Sequence, residues 1–174
     1  YAASLPAATR ALVLRRPPQA VAAMIPAGAA VGVYHATTGE APSTGWARWL
    51  AEQGHAIALP WFADRAAPMR FRHWGNPWDD ADLAPAPYAG LQPGADAAEA
   101  VPDVLIVPLL AFTERCERLG QGGGHYDRWL ADHPGTITIG LGWDCQMVDA
   151  LPTEAHDIPL HAVVTPTRLF RNES

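Results

Sequence analysis

The stretch that decides the fold reads "RLGQGGGHYDRW", residues 118–129, with four glycines inside the five positions 120–124. A basic residue precedes the cluster, and an aromatic and an acid follow it. Glycine in an ordered element costs backbone entropy, so such a cluster persists where the chain must turn sharply or let a ligand approach its amides. "DVLIVPLL" at 103–110, the clearest buried strand, leads into it, and "HYDRWLADH" beyond it starts a helix. Strand, glycine loop and helix in succession bring backbone N–H groups and a helix amino end onto an anion, so the segment is a phosphate-site candidate. It is not a dinucleotide fingerprint, because His125 stands where that pattern needs glycine or alanine. It is not a Walker loop, which needs Gly-Lys-Ser/Thr. Arg118 suits a phosphate partner and Asp127 a hard metal, although Asp127 has two plainer alternatives, a pair with Arg128 and a place at the helix amino end.

Working outward, "AAVGVY" at 29–34 reads as a short buried strand. "TGWARWLAEQG" reads as a helix with Thr44 as N-cap and Gly54 as its stop, and Ser43 as a helix-capping residue rather than a nucleophile. "HAIALP" at 55–60 and the alternating "MRFRHW" at 69–74 add two strands. Residues 75–102, rich in proline and glycine, read mostly as one long ordered loop, which such a length marks as functional. "TITIGLGW" and "HAVVTPT" supply two further strands. Strands alternating with helices predict an α/β, largely parallel sheet with its binding crevice beyond the carboxyl ends of the strands.

Composition narrows the function classes. A chain of 174 residues suits one domain, and 49% apolar against 17% charged residues is a globular balance. The net charge of −6 argues against a nucleic-acid footprint, and no apolar run reaches a membrane span, so neither partner is expected. All twelve basic residues are arginine, which excludes a lysine nucleophile or Schiff base from this chain. Cys116 and Cys145 form neither a CxxC pair nor a disulfide framework, and a cytoplasmic setting is expected. The opening "YAASLPAATR" has neither an initiator methionine nor the order of a signal peptide, so the natural amino terminus is expected to lie before Tyr1. His156 and His161 with Asp157 fit no common zinc spacing, and the seven tryptophans read as core and pocket wall.

"VPLLAFTERCERLGQGGGHYDRWL" resembles the signature of the 5-formyltetrahydrofolate cyclo-ligase family, roughly V-P-G-x-A-F-D followed by R-L-G-x-G-x-G-Y-Y-D. The likeness continues upstream through "VYHATTGEAPSTGWARWLAEQGHAIALP" and "APYAGLQP", and downstream through "IGLGWDCQMVDALPTEAHDIPLHAVVTPT", so it runs from about residue 29 to 167. It implies a single-domain, three-layer α/β/α sandwich of the cyclo-ligase type and a monomer or weak homodimer. It also implies closure of a folate N5-formyl group onto N10 after phosphorylation by ATP, with Mg²⁺. By resemblance Arg118 and the amides of Gly120, Gly122, Gly123 and Gly124 cradle the nucleotide phosphates, with His125 and Tyr126 at the nucleotide. Asp127 and Asp157 match positions that bind Mg²⁺, although Asp157 by itself reads equally as a turn cap. Glu40 matches the loop glutamate near N10 of the reduced folate, Tyr88 the stacking aromatic, and Phe62 and Met69 the pterin pocket.

The chain departs from that pattern in its loop, where Gly123 replaces a common lysine and His125 a second tyrosine. The K-x-x-x-R pattern of the family's first helix is not found. These departures leave two alternatives, a member that binds folate or nucleotide without turnover and one that acts on another substrate.

Overall fold

A computed structural model describes residues 14–37, 39–120, 123–152 and 158–173. Gly122 and Asp157, both site candidates, and His156 lie outside the described residues.

Helix α1 (Gln19–Ala22) precedes strand β1 (Val31–Gly32), helix α2 (Thr44–Glu52), β2 (Ile57–Trp61) and the antiparallel β3 (Arg70–His73). The order strand, helix, strand, strand is the one the sequence predicts. Helix α2 buries Trp46, Ala47 and Leu50, one stripe at helical spacing. It stops at Gly54, whose φ of +93° suits a residue without a Cβ. The Gly54 amide donates to Ala51 and the His55 amide to Leu50, the paired bonds of a Schellman turn. At the other end the expected cap moves by one residue. Ser43, not Thr44, holds the N-cap position, and its hydroxyl makes no capping bond. It donates instead to the Tyr34 carbonyl at 2.6 Å and accepts from the Tyr34 amide at 3.4 Å, because the buried backbone after β1 needs partners more than a half-open helix end does.

The segment 75–102 is more ordered than a loop. It contains the hairpin β4 (Leu83–Pro85) and β5 (Leu91–Pro93), and β6 (Glu99–Ala100), which pairs with β3. Strand β7 (Val104–Pro108) follows, but it does not run directly into the glycines. A small hairpin, β8 (Ala111–Phe112) and β9 (Arg118–Leu119), intervenes and turns at Cys116, a non-glycine residue with φ of +64°. Helix α3 (His125–Asp132), β10 (Ile137–Leu141), β11 (Ala162–Val164) and β12 (Leu169–Arg171) complete the chain. Strand β12, unforeseen in the sequence, is an antiparallel edge.

The eight-stranded sheet runs β12-β11-β10-β7-β1-β2-β3-β6. Its five central strands, β11, β10, β7, β1 and β2, are parallel, and antiparallel strands close both edges. Alternation along β7 divides the core in two: Val104 and Ile106 face α2 with Trp46 and Leu50, whereas Leu105 and Val107 face α3 with Trp129 and Leu130. The result is the expected three-layer sandwich, mostly parallel in a mixed sheet. Because β1 leads to β2 on one side and β7 to β10 on the other, the strand order reverses between β1 and β7. In open α/β sheets the crevice beyond that point is where ligands bind.

Candidate functional site

Three segments meet beyond the carboxyl ends of the central strands: the loop after β1, the turn into α3, and the segment after β2.

The first carries Glu40. Its Oε1 accepts from the Thr37 amide and hydroxyl, each at 2.8 Å, while the Glu40 amide donates back to the Thr37 carbonyl at 3.1 Å. One carboxylate oxygen is thereby used to shape the loop, and no protein donor meets Oε2 among the described residues. The loop is clamped at both ends. The Tyr34 hydroxyl donates to the Ala41 carbonyl, and the indole of buried Trp143, just past β10, donates to Gly39 at 3.0 Å. Burial, then the Glu40 and Tyr126 charges, push the Tyr34 phenol well above its ordinary range, so it stays a donor.

The second segment carries the glycine turn. Arg118, 7% exposed at its side chain, sets Nη2 at 3.4 Å from Asp127 Oδ1 and lies 5.5 Å from the centre of the Tyr126 ring. Its shielded Nε–H meets no acceptor among the described residues. A buried guanidinium donor with no partner is costly unless something outside the chain accepts from it. Asp127 therefore pairs with Arg118, not with Arg128, and sits in the first turn of α3, where the helix dipole also favours its charge. Gly124 holds the N-cap position at φ +67°, which favours glycine, and a Cβ on Gly120 would lie 2.5 Å from the Arg118 Nη1 and push the end of that side chain aside. The Tyr126 phenol is pushed up by burial and by Glu40 against the opposing pull of Arg118, which puts Glu40, Tyr126 and Arg118 in one electrostatic neighbourhood.

The third segment brings rings together. Phe62, just after β2, meets Tyr88 edge-on at 5.0 Å and His125 at 4.9 Å, and Tyr88 meets His125 at 5.4 Å. The Gln92 amide pins Phe62 by bonds of 3.0 and 3.1 Å to its backbone, and the Tyr88 hydroxyl donates to Arg65. Met69 is buried in the core on the α3 side, with Phe62 packed against the same cluster.

Glu40, Phe62, Arg118, Gly120, Gly123, Gly124, His125, Tyr126 and Asp127 thus lie in these converging segments, and Tyr88 reaches them from the β4–β5 turn. Sequence reasoning missed Tyr34 and Trp143, which position the Glu40 loop. Their signal is tertiary, for Trp143 and Gly39 stand 104 positions apart.

In chemical terms this is an α/β protein whose switch-point crevice sets a buried arginine, a carboxylate and glycine-turn amides beside a cluster of rings, a class suited to an anionic ligand with a flat group attached. The 5-formyltetrahydrofolate cyclo-ligase family model matches residues 19–166, and the chain belongs to that family. It is 48% identical over 85 residues to the 5-formyltetrahydrofolate cyclo-ligase of Escherichia coli K12, covering 45% of this chain and 47% of that one. It is 33% identical over 126 residues to the Mycolicibacterium smegmatis 5-formyltetrahydrofolate cyclo-ligase, covering 68% and 64%. The chain thus spans about half the length of the first relative and nearly two thirds of the second. In fold it matches a 5,10-methenyltetrahydrofolate synthetase from Aquifex aeolicus with a TM-score of 0.68 at 24% identity, over 84% of this chain and 73% of that one. A synthetase of the same name from Mycoplasma pneumoniae gives 0.65 at 17% identity, over 98% and 92%.

Proposed function

We propose that this chain converts 5-formyltetrahydrofolate into 5,10-methenyltetrahydrofolate at the expense of ATP, as one cyclo-ligase domain. The observation that carries the reading is the meeting of Glu40, Arg118, Tyr126 and Asp127 at the switch point of a family member's sheet. The formyl oxygen attacks the γ-phosphorus of ATP and ADP leaves. N10 then attacks the formyl carbon, and phosphate leaves with that oxygen as the ring closes.

Phosphorylation is needed because the bare formyl oxygen is a poor leaving group, so the protein's task is positioning and charge neutralisation. Arg118, with an unmet Nε–H and a side chain already ordered by Asp127 and Tyr126, supplies fixed positive charge to the phosphates. Glu40 holds N10 and takes its proton through Oε2, because Thr37 engages only Oε1. Asp127 fits a Mg²⁺ bound mainly through nucleotide phosphates, since such a site needs only one or two carboxylates and no cage of three candidate ligands exists among the described residues. That ion would neutralise phosphate charge. Phe62 and Tyr88 offer the wall against which the folate ring system packs, and His125, on the nucleotide side, meets both rings edge-on.

The test is to mix the protein with 5-formyltetrahydrofolate and Mg-ATP, following methenyl absorbance and phosphate release together. Product matched by phosphate is expected. Asp127→Ala should cost about a hundredfold or more in turnover, and Glu40→Gln a similar amount with nucleotide binding retained. Folded protein that yields neither product nor phosphate would sink the proposal.

A further inference from the structure

Beyond the ring cluster, the crevice opens into a cleft of about 430 Å³ lined by Arg65, Pro68, Tyr88, Gly123, His125 and Arg128. Both arginines are exposed, and among the described residues neither pairs with a carboxylate. Each is nevertheless held. The Arg65 guanidinium lies 5.3 Å from the centre of the Tyr88 ring, whose hydroxyl bonds the Arg65 carbonyl. Arg128 sets Nη2 at 3.1 Å from Nδ1 of His125, and its Nη1 lies 3.0 Å from where a Cβ on Gly124 would stand.

In that contact the guanidinium donates and Nδ1 accepts, so the ring orients Arg128. Among the described residues most donors of the two guanidiniums stay unused, although the chain carries an excess of acids. Two ordered, unpaired arginines on one concave wall form an oxyanion receptor, because the planar fork of each matches two oxygens of a carboxylate or phosphate.

We propose that Arg65 and Arg128 form an anion subsite at the outer end of the ring cluster, taking carboxylate or phosphate oxygens of a bound ligand. It is separate from Arg118, which lies on the Asp127 side of the glycine turn. This deepens the proposed function, on which it rests for the identity of the ligand. Under that reading the oxygens belong either to the glutamate tail of the folate or to the phosphates of the nucleotide.

The experiment measures binding by calorimetry at low and raised salt with two probes that lack a pterin or a nucleoside, p-aminobenzoyl-tri-γ-glutamate and tripolyphosphate. The proteins are wild type, Arg65→Gln/Arg128→Gln, Arg65→Lys/Arg128→Lys and, as a charge control, Arg171→Gln on the distant edge strand. The glutamine double variant should bind one probe at least tenfold more weakly, about 1.4 kcal/mol. The lysine variant should fall between it and wild type, and the control should match wild type. Selective loss of the glutamate probe assigns the subsite to the folate tail, and selective loss of tripolyphosphate assigns it to the nucleotide. Absence of binding by wild type, equal binding by the double variant, or an equal loss in the Arg171 control would overturn the subsite. Anion binding by a protein that shows no cyclo-ligase turnover would leave the subsite standing and remove the proposed reaction.

Discussion

At the residue scale, the two departures of the loop from its family pattern are one packing event. The ring of His125 lies over Gly123, and a Cβ there would come within 2.8 Å of Nε2 and Cδ2. A side chain at 123 and an imidazole in this position exclude each other, so glycine at 123 goes with histidine at 125. Gly123→Ala should displace the ring from Phe62 and Tyr88 while changing stability by no more than about 0.5 kcal/mol, because the atoms in the way end a flexible, partly exposed side chain. The check is the imidazole proton resonances, which should lose the ring-current shift of those aromatics; unchanged resonances would refute the account. Cys116 carries the opposite lesson. Its φ of +64° is a conformation that favours glycine, yet its side chain is fully buried in the core, where it contributes packing that glycine would lose.

At the element scale, the Glu40 loop owes its shape to partners on other elements. Trp143, at the end of β10, reaches Gly39, and Gln146 locks the same corner by accepting from the Trp143 amide at 2.7 Å and donating to Leu109 at 3.0 Å. Trp143→Phe keeps most of the buried ring but leaves the Gly39 carbonyl without its donor. A loss of about 1 kcal/mol is expected, together with faster hydrogen exchange at the Thr37 and Glu40 amides. Exchange at wild-type rates would show that Trp143 only packs. The glycine in β1 works on the opposite face of the sheet, in the α3 layer. A Cβ on Gly32 would come within 2.6 Å of the Leu105 side chain and 2.9 Å of Phe71, so the strand beside the switch point can pack closely only with no side chain there.

At the scale of the whole molecule, stability couples to the state of the site through His125. Burial, and then the Arg128 charge, lower its proton affinity below the ordinary histidine value. The folded protein then binds fewer protons at this group than the unfolded chain, so stability rises with pH. The contribution is complete above the unfolded value of about 6.5 and is lost as pH falls toward the lowered folded value. The melting temperature of the wild type should accordingly drop more steeply between about pH 7.5 and 5.5 than that of His125→Phe, with the carboxylates common to both. Parallel curves would remove His125 from the pH response. Among the described residues no helix is long and apolar enough to cross a membrane.

The sequence alone determined the order of the main strands, β1, β2, β3, β7, β10 and β11, the helices at 44–52 and 125–132, and the parallel α/β class, because apolar periodicity and glycine stops act over one or two turns of chain. It also marked Arg118, the glycines and Asp127 by residue type and spacing, and Glu40 through the family resemblance. Only the tertiary structure decided which partner each residue takes. Asp127 pairs with Arg118 rather than its neighbour Arg128, Ser43 serves the Tyr34 backbone rather than the helix end, and Trp143 holds Gly39. Strand β12 and the β4–β5 hairpin were illegible for a related reason: three-residue strands bury too few side chains to show a period, and what defines them is pairing, of β12 with β11 and of β4 with β5. Hydrogen bonds and ring contacts depend on distance in space, and the β1–β7 crevice brings together groups that the chain keeps up to 104 positions apart.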